Sequence, residues 1–205
     1  MTYANLCTFG DVIPLKLKCN ASRLLDEISM FERARYNPRK DIARLGLSIT
    51  SLDGETNGID LDSIKEYNRE NGTSYDEMSF TRLTRVYDMS EEIQKCVDPF
   101  REFLGRSHLI ELERGGYFPP HRDQPRYVDV QRSLRVLVPL RSCNPPQMYF
   151  TYDEKTLQFE HGRAYFVNTN KSHSLFSFTG SSMIVLNVRA CEEVYAVIGD
   201  LFQSS

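Results

Sequence analysis

From Ser107 to Arg189 the chain alternates apolar and polar residues in runs near 108 to 113, 116 to 122, 134 to 140, 147 to 152, 156 to 159, 163 to 168, 173 to 178 and 182 to 189. Successive side chains of an extended strand point to opposite faces, so short period-two runs bounded by turn residues predict strands with one buried side. With no helical crossover between them, these runs fit a double-sheet jelly roll better than a parallel α/β sheet. The fold class expected is mainly β with N-terminal helices (α+β).

The first half reads differently. Residues 11 to 18, DVIPLKLK, alternate and predict a strand, and Leu24, Leu25, Ile28 and Phe31 after Ser22 predict an amphipathic helix over about 22 to 34, ended by Asn37-Pro38. Leu45, Leu47 and Ile49 predict a strand over 43 to 52, turned by Asp53-Gly54. A short helix is expected from about 60 to 62 as far as Asn71-Gly72, a pair that tolerates the left-handed conformation of a helix end. Ser90 as cap, Glu91 and Glu92 at the positive end and the stripe Ile93, Val97, Phe100, Leu104 predict a helix over 90 to 104, laid against a sheet and stopped by Gly105. The tail EEVYAVIGDLF suits a closing helix or an edge strand, and the polar segment 53 to 88 suits a substrate loop or a solvated connection.

At 205 residues the chain suits one domain, with 1–107 as support, 108–189 as the barrel and 190–205 as a closing segment. Hydrophobic content of 40% against 26% charged is that of a soluble globular protein, no apolar run has the length of a membrane span, and the N-terminus lacks a secretory pattern. The expectation is a cytoplasmic protein with no membrane partner. Five scattered cysteines read as reduced thiols. A net charge of −3 argues against a nucleic acid partner, although Arg114, Arg122, Arg126, Arg132, Arg135 and Arg141 crowd one stretch that could bind anions or form a solvated face.

That stretch contains the candidate chemistry, GYFPPHRD. His121 and Asp123 are separated by one residue, so on an extended strand an imidazole and a carboxylate share a face and can reach one ion. A His-x-Asp pair alone is common. His173, between the apolar runs AYFVN and LFSF, supplies a third ligand, and two His with one carboxylate on one side of an ion is the arrangement of non-haem Fe(II) oxygenases. Tyr117, Phe118, Arg122 and Arg126 flank the motif and are candidates for a substrate wall. His108 and His161 have no carboxylate at ligand spacing and are read as spare. Two other readings stay open: a cupin-like metal enzyme of different chemistry, and a non-catalytic β-sandwich binding module.

Three segments, His121-Arg122-Asp123, the run RVLVPL from Arg135 to Leu140, and Phe166-Val167-Asn168 with His173-Ser174, resemble the Fe(II)- and 2-oxoglutarate-dependent dioxygenases, most nearly the aspartyl/asparaginyl β-hydroxylase and small proline hydroxylase branch. The resemblance covers about 108 to 189 and implies a double-stranded β-helix with His121, Asp123 and His173 as iron ligands and catalytic residues. It further implies Fe(II), 2-oxoglutarate and O2, and a small-molecule or peptide substrate hydroxylated at an unactivated C–H bond with release of succinate and CO2. The carboxylate Asp123 favours hydroxylation over halogenation, for which the family has a small residue there. In that branch an Arg ten residues after the second ligand His grips the far carboxylate of 2-oxoglutarate; this position is Met183 here, so Arg135, Arg189 and Arg132 are the substitutes, with Asn187 on the strand face shared by Met183, Val185 and Arg189.

Overall fold

The computed structural model describes residues 1–35, 42–56, 58, 63–123 and 131–202. Strands β1 (Val12–Lys18), β2 (Ala34–Arg35) and β3 (Arg44–Ser48) come first, then a small ribbon of β4 (Thr50–Ser51) with β5 (Arg82–Leu83). The second half supplies β6 (His108–Leu112), β7 (Tyr117–His121), β8 (Ser133–Arg141), β9 (Met148–Tyr152), β10 (Lys155–Thr156), β11 (Arg163–Val167), β12 (His173–Ser177) and β13 (Ser181–Arg189). Seven strands form one sheet in the order β1-β11-β8-β13-β6-β3-β2, and four form a second in the order β10-β9-β12-β7. All the named pairings are antiparallel. From β6 onward the chain steps between the two sheets, which is the double-stranded β-helix expected of a jelly roll. Each of the eight runs predicted between 108 and 189 contains a strand, the run at 156 to 159 being reduced to Lys155–Thr156.

Alternation places two cores on the two faces of the larger sheet. Along β8, Leu134, Val136, Val138 and Leu140 pack against Ile93, Val97 and Phe100 on the helical side. Leu137 turns the other way, into the roll, with Ile110, Phe150, Leu175 and Met183. Because β8 is covered on both faces, it reads as a nearly unbroken apolar run in the sequence.

Six α-helices are described, α1 (Tyr3–Phe9), α2 (Ala21–Glu27), α3 (Ile64–Asn71), α4 (Arg85–Asp88), α5 (Glu91–Val97) and α6 (Glu192–Asp200), besides two 3₁₀ turns. The helix expected over 22 to 34 stops at Glu27, because the Arg33 guanidinium hydrogen-bonds the Ile28 and Phe31 carbonyls in a non-helical turn. It begins at Ala21, one residue before Ser22, and is capped by Asn20. The turn signal Asn37-Pro38 and the expected start of a helix at 60 to 62 lie outside the described residues, and Gly72 closes α3 at φ 64° as a left-handed cap. Helix α5 continues past Val97 only as a 3₁₀ turn over Asp98–Phe103, since Pro99 has no N–H for the α-helical ladder. The strand expected over 43 to 52 divides at Ile49, whose N–H donates to the Ser107 carbonyl, so Thr50–Ser51 pair in the separate ribbon. The tail is the helical alternative.

Candidate metal centre and active site

Strand β7 is the edge of the four-stranded sheet and contains Pro119-Pro120. Proline cannot donate to a ladder, so it is tolerated at an edge or a bulge. Both conditions hold: Phe118 pairs with Leu175 and His121 with His173, so three steps along β7 oppose two along β12. On a regular strand, Phe118 and His121 would face opposite sides. The extra residue brings both rings to the inner face, where they line a cavity of about 250 Å³.

The same register sets His121 against His173, with ring centroids 4.3 Å apart. Just beyond β7, Asp123 N–H donates to the Thr169 carbonyl, which ties this residue to the turn leading into β12. The consequence is convergence. Asp123 Oδ1 lies 3.5 Å from His121 Nε2 and 3.7 Å from His173 Nε2. Ligand atoms about 2.1 Å from one ion and at right angles lie about 3 Å apart, so a small contraction would complete a metal site.

The tautomers also fit. His121 Nδ1 lies 2.7 Å from the Pro119 carbonyl and His173 Nδ1 3.0 Å from the Lys171 carbonyl. A carbonyl only accepts, so each Nδ1 carries the hydrogen and each Nε2 presents its lone pair to the shared space, the arrangement metal-bound histidines use. Phe150 stacks on His173 at 6.0 Å and 16°, fixing the ring plane. A hydrogen bond that only the protonated His121 ring can give Asp123 raises the His121 pKa, whereas burial lowers that of His173. Burial works against the Asp123 carboxylate, but Arg135 and the two imidazoles outweigh it and hold the carboxyl well below its usual range.

Arg135, buried on the inner face of β8, is the hub of the cavity's charges. Its Nε is 2.9 Å from Asp123 Oδ2, leaving Oδ1 to face the imidazoles. One terminal nitrogen is 2.8 Å from Glu77 Oε2 and the other donates to Asn187 Oδ1. Asn187 Nδ2 in turn donates to the same Glu77 oxygen at 3.0 Å. Of the sequence-derived anchors, Arg135 therefore lines the cavity and Asn187 adjoins it. Arg189 and Arg132 are exposed and line no part of it, because β13 and β8 run out of the sheet at those positions.

Phe118 lies on the cavity wall beneath the Arg44 guanidinium, 4.4 Å from its ring centroid. Tyr117 points outward, Arg122 is exposed and donates to the Asn170 carbonyl at 3.4 Å, and Arg126 lies outside the described residues. Met183, at the position where the family has its Arg, is an apolar wall residue. His108, read from spacing as spare, is instead 4% exposed and lines the cavity, as do Glu77 and Arg106. The sequence offered one hint of this, that His108 opens a strand; in the structure it pairs with Val185, which pairs with Leu137, and all three line the cavity. Nothing local marked Glu77, which arrives from the polar segment 53 to 88 on a 3₁₀ turn, Glu77–Ser79.

No family model matches the sequence, and no curated protein does either. Solved structures are similar in fold. A prolyl hydroxylase from Trichoplax adhaerens, in complex with a peptide fragment of the hypoxia inducible factor oxygen degradation domain, is 11% identical, with 94% of this chain and 89% of that one covered at a TM-score of 0.51. A prolyl-4-hydroxylase from Pseudomonas putida is 11% identical over 91% and 96% of the two chains at 0.48. A viral collagen prolyl hydroxylase from Paramecium Bursaria Chlorella virus-1, in a 2OG complex, is 15% identical over 54% and 75% at 0.39. At such identities the likeness is one of fold, and this chain has the double-stranded β-helix of jelly-roll, cupin-like proteins.

Proposed function

We propose that the protein is an Fe(II)- and 2-oxoglutarate-dependent dioxygenase that hydroxylates an unactivated C–H bond of an amino acid or peptidyl side chain, producing succinate and CO2. One observation carries this reading: His121, Asp123 and His173 present three ligand atoms, all within 4.8 Å of one another, to the mouth of a cavity inside a double-stranded β-helix. Two imidazoles and one carboxylate suit Fe(II) and leave room for other ligands. Bound iron would supply activation of O2 coupled to oxidative decarboxylation of the 2-oxo acid.

The protein's own residues do the rest. Arg135 fixes Asp123 in a one-oxygen orientation, and the Pro119 and Lys171 carbonyls fix the two tautomers. Ile110, Leu137, Phe150 and Leu175 form an apolar wall that excludes water behind the site, strengthening every charge interaction within it. A carboxylate fits beside Arg135 and Asn187, for the Glu77 side chain already places one there. Support for a peptidyl substrate comes from the prolyl hydroxylase similar in fold, which holds a peptide fragment. Prolyl, asparaginyl and aspartyl residues are the targets that the family resemblance implies.

The test is succinate formation from 2-oxoglutarate under air, with Fe(II) and a panel of peptides and free amino acids. The parent protein is expected to turn over and Asp123→Ala to fall to background. Turnover retained by Asp123→Ala rejects the triad, and an iron-loaded parent that makes no succinate rejects the reaction.

A further inference from the structure

We propose that Glu77 is an internal carboxylate that occupies the ligand position on Arg135 and Asn187, and that a dicarboxylic 2-oxo acid binds there by displacing it. This rests on the function proposed above and names the residue that sets how tightly its co-substrate is held.

Three observations carry the inference. First, a single oxygen, Glu77 Oε2, receives both Arg135, at 2.8 Å, and Asn187 Nδ2, at 3.0 Å. A guanidinium and an amide converging on one carboxylate oxygen form a recognition cradle, and the charge-assisted bonds in it are about twice as strong as neutral ones. The cradle belongs to β8 and β13 of the barrel, whereas the carboxylate comes from the annex. Second, among the described residues the cavity wall carries two guanidiniums, Arg106 and Arg135, against two carboxylates, Glu77 and Asp123. Asp123 faces the two imidazoles and its charge is matched when a cation is held, so Glu77 is the acid whose charge a ligand carboxylate can replace.

Third, the backbone beneath Glu77 is seated by close packing, while its side chain borders solvent. The Glu77 carbonyl accepts from Arg106 N–H at 2.7 Å, and the turn sits so close to Gly105 that a Cβ there would lie 1.8 Å from the Met78 methyl. Met78 and Asp76 hold the turn in place, the latter through a capping box with Ser79. The Glu77 side chain is 39% exposed, so displacement by a ligand would need only its own rotation towards the solvent it already borders, with the turn in place. Glu77 stays ionised in place, since Arg135 and Arg106 overcome the opposing effect of burial.

The experiment compares the parent with Glu77→Gln, both loaded with Mn(II), by calorimetric titration of 2-oxoglutarate and of 2-oxopentanoate, which has a methyl in place of the distal carboxylate. Gln keeps the size and an acceptor for Asn187 but removes the competing charge. The expected result is 2-oxoglutarate bound about tenfold more tightly by Glu77→Gln, with 2-oxopentanoate changed by less than about twofold. Weaker or unchanged 2-oxoglutarate binding makes Glu77 a support for Arg135 and overturns the proposal. Equal tightening of both acids shows only a general charge effect and overturns it too, as does absence of binding by either variant. Because the readout is binding, a protein that binds as expected yet forms no succinate would lose the proposed reaction and keep this inference.

Discussion

Replacing Arg135 with Met tests the electrostatic core of the site. The Arg135 side chain is 11% exposed and is shared by Asp123, 17% exposed, and Glu77, 39% exposed. Met fills the stem volume but leaves two carboxylates around a space that no longer holds a cation. Removing one partner of a buried ion pair destabilises by about 3–5 kcal/mol. Glu77 can turn to solvent, so its share is screened, and the lower end, about 3 kcal/mol, is expected. Asp123 supplies most of it.

The sign with pH follows. A carboxyl with a depressed folded pKa contributes stability that is present above its unfolded value, about 3.9, and is lost as pH falls through the lower folded value. Arg135→Met should therefore narrow its deficit relative to the parent in acid. Adding Glu77→Gln to Arg135→Met removes one stranded charge and should recover about 1 kcal/mol, as expected for groups in one network. The assay is urea unfolding of the parent, Arg135→Met, Glu77→Gln and the double variant without metal, because a metal bound only to the folded form would mask the differences. Arg135→Met within about 1 kcal/mol of the parent, or a double variant no better than Arg135→Met, would refute the hub role of Arg135.

Gly105→Ala should lower stability by about 1–3 kcal/mol, because the added Cβ would meet the Glu77 carbonyl at 2.5 Å as well as the Met78 methyl. Hydrogen exchange at Arg106 N–H should quicken with it, and parental exchange and melting would show that the turn is not seated as described. Glu92 is 2% exposed and accepts from Lys95 at 2.6 Å and from Asn20 N–H at 2.7 Å. These bonds, that from Lys95 foremost, lower its pKa against the opposing effect of burial. Glu92→Gln should cost about 1–3 kcal/mol at pH 7, and the difference from the parent should shrink as pH falls below about 4.3, through the depressed folded value. A pH-independent difference in unfolding free energy would contradict this.

The sequence by itself determined the barrel strands, because alternation is a one-dimensional record of which face is buried. It also pointed to the three candidate ligands that the structure brings together: His121 and Asp123 lie two positions apart in the chain, and His173 opens a strand. Helix boundaries were less legible. The apolar stripe from Ile93 to Leu104 continues through Pro99, but the α-helical hydrogen bonds do not. Likewise, the stripe from Leu24 to Phe31 says nothing of Arg33 turning back on the Ile28 and Phe31 carbonyls.

Only the tertiary structure decided the charges around the site. Arg135 and Asn187 can be placed on inward strand faces by counting, but counting in twos put Arg189 there as well, although the strand ends at the barrel rim. Glu77 could not be found that way. It reaches Arg135 across 58 residues through a turn whose seating depends on the missing side chain at Gly105. Periodicity reports burial along one element, whereas an ion pair between elements depends on how their backbones pack, and no local pattern encodes that distance.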